Sequence, residues 1–135
     1  MPIISQYDCL KLIYKLETKE TSVTIGGLTQ NLKITQPSVT QMIQALHRKG
    51  FVTWSPRRPI QLTSSGTSKA IYTIRRHRIL ESFLVKVVGM DLLDSHKEAE
   101  QLEHVVSDKF IDSIFSMCGK PSHDPHGDPI PNIKG

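Results

Sequence analysis

The sequence predicts a mainly α-helical protein with one small β-hairpin: an N-terminal winged helix-turn-helix, then an all-helical domain. Two short segments with helical spacing of apolar residues flank Lys33-Ile34. Two tetrapeptides rich in β-branched and aromatic residues follow, joined by five residues that include two prolines. From about residue 65 onward, apolar residues recur at helical spacing through three further segments.

The first two helices have recognisable start signals. Residues 4–17 place apolar side chains at helical spacing, and Ser5 is an N-cap with Asp8 three positions later, a capping box with Asp in place of Glu. Thr24 can cap a second short helix that runs to Leu32, although two glycines weaken it.

The third helix, residues 35–49, is the candidate DNA-reading element. Thr35 is a good N-cap, Pro37 is tolerated in the first turn, and Gly50 ends the helix. Its exposed face offers short amides and hydroxyls that can reach base edges and phosphates. These residues are Gln36, Ser38, Thr40, Gln41 and Gln44.

A hairpin completes the N-terminal domain. The strands are residues 51–54 and 60–63, and Arg57 and Arg58 lie at the tip between them. A hairpin after a helix-turn-helix predicts a wing whose arginines contact phosphate or the minor groove. Solvated turn residues are the alternative interpretation of both arginines.

The second domain is predicted to be helical and dimeric. A long helix from residue 65 to 88 has an apolar stripe too long for the small N-terminal core, so a partner helix, plausibly in a symmetric dimer, should cover it. Two more helices follow, one from residue 92 or 95 to 106 and one over 107–117, before a Pro- and Gly-rich loop tail. The predicted domains are therefore 1–64 and 65–135.

Charge divides the chain in the same way. Residues 1–76 carry 11 lysines and arginines against three acidic residues, a net charge of +8, whereas residues 77–135 carry 6 against 10, a net charge of −4. A basic half suits a polyanion and an acidic, histidine-containing half suits cations. With no apolar run of membrane-spanning length and no signal-peptide pattern, the expectation is a cytoplasmic protein without a membrane partner.

The second half contains the candidate metal ligands. His77 and Glu81 are one helical turn apart, and a second group shares one face of the next helix. That group is His96, Glu100, Glu103 and His104. Imidazole and carboxylate without thiol suit manganese, iron or zinc. A solvated, charged helix face is the alternative, and a proline-rich loop is favoured over a surface metal site at His123, Asp124 and His126.

Laid end to end, six motifs resemble the diphtheria-toxin-repressor family of metal-dependent repressors, most closely its manganese transport regulators. The motifs are DCLKLIYKLE, PSVTQMIQAL, IQLTSSG, RRHRILESFL, HKEAEQLEHVVSD and PHGDPIP. The resemblance implies a winged-helix domain and a helical dimerisation domain, in the two-domain form that lacks the SH3-like domain of some members.

The resemblance also implies two metal sites. The regulatory site would comprise Asp8, Glu100, Glu103 and His104, and the ancillary site would comprise His77, Glu81 and His96. Iron-responsive relatives have sulfur ligands at the positions of Asp8 and Glu100, so carboxylates there favour Mn²⁺, with Fe²⁺ second. Compact manganese sensors have glutamate where this chain has Lys11, whose ammonium cannot ligate a cation.

By the same resemblance, the expected function is metal-activated repression of metal-uptake genes, with a homodimer on an inverted-repeat, double-stranded operator. Thr35, Pro37 and Gln41 would read bases, and Ser38 and Thr40 would contact phosphates. Two rival functions stay open. A metal-independent winged-helix regulator would respond to another ligand, and a dinuclear carboxylate-histidine enzyme would leave the winged helix without a role.

Overall fold

The computed structural model describes residues 5–132; residue 4, the first of the segment 4–17 with helical spacing, and the last three residues of the tail lie outside this range. The secondary structure confirms a mainly helical chain with one two-stranded antiparallel sheet. The helices are α1 (Gln6–Thr18), α2 (Ile25–Leu32), α3 (Gln36–Arg48), α4 (Ser64–Phe83), α5 (Leu92–Leu102) and α6 (Asp108–Met117). The strands are β1 (Val52–Thr53) and β2 (Gln61–Leu62).

The chain forms two compact units that divide between Ile71 and Tyr72. This division falls within α4, whereas the sequence predicts a boundary after residue 64, at the start of that helix. The two units are described separately below.

In the first unit, α1, α2 and α3 pack together around one apolar core. Leu10, Ile13, Leu28, Ile43 and Leu46 are fully buried in it. Each such side chain contributes about 2 kcal/mol by leaving water. The core fixes α3 through its apolar face, which leaves the polar face of α3 for other contacts.

The helix starts in this unit follow the expected local chemistry. The Ser5 hydroxyl accepts a hydrogen bond from the backbone N–H of Asp8. The Asp8 carboxylate in turn accepts a hydrogen bond from the backbone N–H of Ser5 at 2.8 Å, which completes the capping box. Thr24 and Thr35 cap α2 and α3 through their side chains. Between these helices, Lys33 has a left-handed backbone with φ 57°, which turns the chain sharply.

The wing is shorter than predicted. Each strand has two residues rather than four, and Val52 pairs with Leu62 in antiparallel register. Proline has no amide hydrogen, so Pro56 and Pro59 cannot extend the ladder. Arg57, with φ 71°, lies in the turn between the strands.

In the second unit, the C-terminal part of α4 packs with α5, α6 and the tail around a second core. Its fully or nearly buried members are Ile79, Leu80, Leu84, Ala99, Ile111, Ile114 and Ile130. The α4 helix does not continue to residue 88 as predicted, because Leu84–Val88 form a π-helical turn that ends at Gly89 with φ 88°. The α5 helix also ends earlier than predicted, at Leu102 rather than residue 106.

Several large apolar side chains of the second unit are exposed. Leu93 is 65% exposed, Val105 77% and Met117 63%. Val87, Val88, Leu92 and Phe110 are also exposed. Apolar surface of this kind is typical of a protein interface. None of the helices within residues 5–132 is both long and apolar enough to cross a lipid bilayer.

Candidate metal centre and nucleic-acid interface

A buried carboxylate in α4, Glu81, is the centre of the candidate metal site. Glu81 is only 1% exposed. Its Oε1 contacts His77 Nε2 from the preceding turn of α4 and lies 2.7 Å from His96 Nδ1 of α5. His77 Nε2 and His96 Nδ1 are themselves 3.2 Å apart. The structure therefore brings together all three residues of the expected ancillary site.

The electrostatics of Glu81 favour its charged form. Burial acts to raise the pKa of Glu81, but the hydrogen bonds and charges of His77 and His96 together outweigh it and lower the pKa to about 2. This carboxylate is therefore ionised across the neutral and mildly acidic range, as a metal ligand must be.

The C-terminal tail adds a third imidazole. His126 Nδ1 lies 2.9 Å from Glu81 Oε2. That oxygen is buried and makes no hydrogen bond of good geometry among the described residues, although His126 is close to it. Asp124 offers a carboxylate oxygen in the same group, with the ligand atoms of Glu81, Asp124 and His126 within 4.8 Å of one another.

This part of the tail is an ordered turn. Asp124 Oδ1 accepts the backbone amides of His126 and Asp128, both at 2.9 Å, and residues 123 and 129 form an isolated β-bridge. The side chain of His123 instead contacts the Ser122 hydroxyl at 2.9 Å. The Pro- and Gly-rich sequence of this segment predicts a loop rather than a metal site.

The expected regulatory ligands lie in both units. Within the second unit, Glu103 caps the C-terminus of α5 and has a fully buried side chain, and His104 follows it. Glu100 Oε1 is 3.0 Å from His96 Nε2, and both side chains are partly exposed. Glu103 Oε1 is 3.4 Å from His77 Nδ1, so Glu100 and Glu103 each contact a histidine of the expected ancillary site.

The remaining expected ligand, Asp8, belongs to the first unit. Its carboxylate closes the capping box with Ser5, and its Oδ1 lies 3.5 Å from Lys11 Nζ. Asp8 is therefore a structural residue of α1 whatever else it binds. The ammonium of Lys11 is close to one of the two carboxylate oxygens of Asp8. An ammonium group has no lone pair with which to bind a metal ion.

The donors around Glu81 fit a divalent cation. Imidazole nitrogens and carboxylate oxygens converge from two helices and a turn, and Oε2 is buried without a well-formed hydrogen bond. A buried polar atom in this condition is costly unless a ligand satisfies it. With no thiolate among these donors, the set suits manganese or iron(II) rather than a soft metal.

The polar face of α3 is accessible in the first unit. Thr35, Gln36, Pro37 and Gln41 are exposed, while Ser38 and Thr40 are half-buried. The Thr35 hydroxyl contacts the Ser38 hydroxyl at 2.8 Å as well as capping the helix. Arg57 and Arg58 of the wing are exposed. The positive N-terminal end of α3 adds to the attraction for phosphate.

Two family models match the chain, one for each half. The model described as "Iron dependent repressor, N-terminal DNA binding domain" matches residues 5–60. The model described as "Iron dependent repressor, metal binding and dimerisation domain" matches residues 63–132.

Relatives and solved structures agree with these models. The diphtheria toxin repressor of Corynebacterium glutamicum is 32% identical over 124 residues, which cover 92% of this chain and 54% of that protein. A structure of the manganese regulator SloR superposes with a TM-score of 0.87 at 30% identity, covering 95% of this chain and 60% of that one. A structure of a manganese-dependent transcriptional repressor in complex with manganese superposes with a TM-score of 0.85 at 36% identity. The match covers 96% of this chain and 60% of that one.

The chain spans about half the length of the curated relatives it matches. Both of its halves are nevertheless matched by models of one family, in the same order as the two units of the fold. The chain belongs to the iron-dependent repressor family.

Proposed function

We propose that this protein is a metal-activated, DNA-binding transcriptional repressor that controls metal-uptake genes, with Mn²⁺ as the preferred effector and Fe²⁺ second. The observation that carries the proposal is the buried Glu81 carboxylate with imidazoles of His77, His96 and His126 around it. Three imidazoles around one ionised, inaccessible carboxylate support a cation site over a solvated helix face.

Two metal sites would serve different purposes. His77, Glu81 and His96, joined by His126, would hold the ancillary ion within the second unit. Asp8, Glu100, Glu103 and His104 would hold the regulatory ion. The bound cation would supply positive charge that neutralises clustered carboxylates and links residues distant in sequence.

The regulatory residues account for activation. Asp8 lies in α1, whose core packing with α3 makes the two helices one body. Ligation through Asp8, together with Glu103 and His104, would fix α1 and hence the recognition helix relative to the dimerisation domain. In a homodimer this fixes the separation of two recognition helices, which must match half-sites one DNA turn apart, ~34 Å.

The exposed apolar residues of the second unit support a homodimer. Residues such as Leu93, Val105 and Met117 would be covered by a second copy of the chain. A symmetric dimer would bind a double-stranded operator with inverted-repeat symmetry. Thr35, Pro37 and Gln41 would then read bases, while Ser38, Thr40 and the wing arginines would contact phosphates. Binding to an operator on chromosomal DNA would place the protein in the cytoplasm.

The proposal is tested by fluorescence anisotropy on a labelled AT-rich inverted-repeat duplex. The protein is titrated in the presence of Mn²⁺, of Fe²⁺ under anaerobic conditions, of Zn²⁺, and of a chelator, with a scrambled duplex as control. We expect Mn²⁺ to give tight, sequence-dependent binding that the chelator abolishes. Equal binding with and without chelator would instead support a metal-independent winged-helix regulator.

A further inference from the structure

The wing has two backbone amides that point away from β1, on Leu62 of β2 and on Ile60 just before it. Val52 faces Leu62 in the antiparallel register, and the Thr63 N–H donates to the Phe51 carbonyl oxygen at 3.0 Å. Successive amides of a strand point to opposite sides, so the N–H groups of Leu62 and Ile60 are directed to the outer side of the hairpin. An amide at the edge of a sheet needs a partner from outside the sheet, and each of these two has one.

A carboxylate from α1 meets the first of these amides. Glu17 Oε2 accepts the N–H of Leu62 at 2.8 Å, across 45 residues of sequence, and both residues are half-buried. The Val23 carbonyl oxygen, in the loop after α1, accepts the N–H of Ile60 at 2.9 Å. A bond from an N–H to a charged carboxylate is about twice as strong as one between neutral groups. Glu17 is therefore the stronger of the two partners that hold this side of the wing to the helices of the unit.

The surroundings of this contact allow it to be removed without unfolding the protein. Glu17, Glu20, Gln61 and Leu62 line an open groove between the end of α1 and the outer side of β2. Water from the groove can hydrate the Leu62 N–H when the carboxylate is absent, so the amide is not left without a partner. Ile60, which is 2% exposed, remains in the apolar core. Losing Glu17 should therefore alter where the wing lies rather than whether the unit folds.

The α1 helix connects this contact to the expected regulatory ligand near its other end. Asp8 and Glu17 are nine positions apart in one α-helix, a separation of about 14 Å along its axis. The buried residues between them belong to the core that α1 shares with α3, which keeps the two helices together. On the wing, β2 begins four residues after Arg57 and three after Arg58. One helix is thus in contact with both elements that would meet DNA.

We propose that Glu17 is a positioning residue that holds the wing at a fixed place beside α1, so that Arg57 and Arg58 reach DNA phosphates together with α3. The helix that the metal captures through Asp8 thereby fixes both DNA-contacting elements, the recognition helix by core packing and the wing through the Leu62 amide. This inference rests on the proposed function, which has the wing arginines on DNA phosphates. Removing the negative charge of Glu17 then weakens DNA binding, although its charge alone would have the opposite effect.

The first test is the salt dependence of operator binding at saturating Mn²⁺, measured by fluorescence anisotropy. Glu17→Ala removes the carboxylate, and Glu17→Gln keeps an oxygen that can accept the Leu62 N–H. Glu20→Gln is the matched control, because it removes the same charge from the same groove at an exposed residue. Arg57→Ala, alone and combined with Glu17→Ala, reports whether the carboxylate acts through the wing.

In Glu17→Ala the slope of log affinity against log salt should fall by about one to two per protomer, because up to two arginine–phosphate contacts are lost. Each lost contact lowers operator affinity about eightfold at about 0.1 M salt. Glu17→Gln should recover most of this loss, and Glu20→Gln should bind at least as tightly as the unaltered protein. Arg57→Ala should reduce the slope much less in the Glu17→Ala background. An unchanged slope in Glu17→Ala, or equal effects of Arg57→Ala in the two backgrounds, would overturn the proposal.

A second measurement detects the contact without DNA. Amide hydrogen exchange followed by NMR should show a protected Leu62 N–H in the unaltered protein, which exchanges at least about tenfold faster in Glu17→Ala and is slowed again in Glu17→Gln. Mn²⁺ affinity should stay within about twofold in the Glu17 and Glu20 variants, because Asp8 and the fold are retained. An unprotected Leu62 amide in the unaltered protein, or a Mn²⁺ affinity that falls along with DNA binding, would contradict the role of Glu17. Failure of the proposed function gives a different result, in which operator binding by the unaltered protein does not respond to Mn²⁺.

Discussion

His126 Nδ1 lies 2.9 Å from the buried Oε2 of Glu81, which makes the C-terminal tail part of the candidate metal centre. The tail is held against α4 by two arginines that donate to backbone carbonyls: Arg75 to Pro131 at 3.0 Å, and Arg78 to Pro129. Ile130, buried in the second core, anchors the same segment. The position of His126 is therefore fixed by contacts that do not themselves involve a metal.

Replacing His126 should weaken the ancillary site selectively. His126→Ala removes an imidazole from Glu81, so Mn²⁺ affinity at that site should fall by at least about tenfold, as measured by calorimetric titration. His123→Ala is the matched control, since His123 contacts Ser122 and lies outside the cluster. Equal losses in the two variants would show that the tail affects the site only by its folding.

The ionisation of Glu81 gives a prediction for the metal-free protein. Its folded pKa of about 2 lies below the ordinary value of 4.5 because His77 and His96 outweigh the effect of burial. The ionised carboxylate should thus stabilise the fold above pH 4.5, by roughly 3 kcal/mol, and this stabilisation should disappear as the pH falls from 4.5 through 2.

Carboxyl ¹³C NMR titration measures this pKa directly. In His96→Ala one hydrogen-bond donor and one positive charge are removed, so the pKa of Glu81 should rise while burial continues to act in the same direction. An unaltered protein in which Glu81 titrates at or above 4.5 would contradict this description of the site.

Gly66 should tolerate no side chain. A Cβ at this position of α4 would lie 1.8 Å from the Phe51 carbonyl oxygen, a backbone atom that cannot simply rotate away. Gly66→Ala should therefore destabilise the first unit by about 1–3 kcal/mol in urea unfolding. Gly26→Ala is the control, because nothing lies within 4 Å of that Cβ and alanine should stabilise α2 by up to about 1 kcal/mol.

The wing arginines should determine part of the salt dependence of operator binding. If Arg57 contacts a phosphate, Arg57→Ala should reduce the slope of log affinity against log salt by about one per protomer, whatever the DNA sequence, and Arg58→Ala should do the same. Lys97→Ala, an exposed cation on α5, should leave the slope unchanged. An unchanged slope in Arg57→Ala would make that arginine a solvated turn residue.

Local chemistry made most of the fold predictable. The caps at Ser5, Thr24 and Thr35 depend on residues three positions apart, and the structure confirms each one. The π-helical turn at Leu84–Val88 was not predicted, because its residues are equally compatible with an α-helix and only the hydrogen-bond pattern differs. The early end of α5 likewise has no marker such as glycine or proline in the sequence.

The candidate site was predictable only in part. His77 and Glu81 are visible as a pair because helical residues four apart share a face. Nothing periodic connects His126 to them, since the tail is held by Arg75 and Arg78 through backbone carbonyls, which leave no pattern in the sequence. The contact of Glu103 with His77 is equally tertiary, because the two residues lie 26 positions apart in the sequence.

The central claim, that a metal captures α1 through Asp8, is tested most directly by comparing two variants in the Mn²⁺-dependent DNA-binding assay. Asp8→Asn keeps an oxygen that can accept the Ser5 amide but loses the charge needed for ligation. Ser5→Ala loses the cap, at a cost of about 1 kcal/mol, and keeps the Asp8 carboxylate. The account predicts that Asp8→Asn remains a dimer but no longer binds the operator in response to Mn²⁺, whereas Ser5→Ala still responds. Normal Mn²⁺ activation of Asp8→Asn would contradict it.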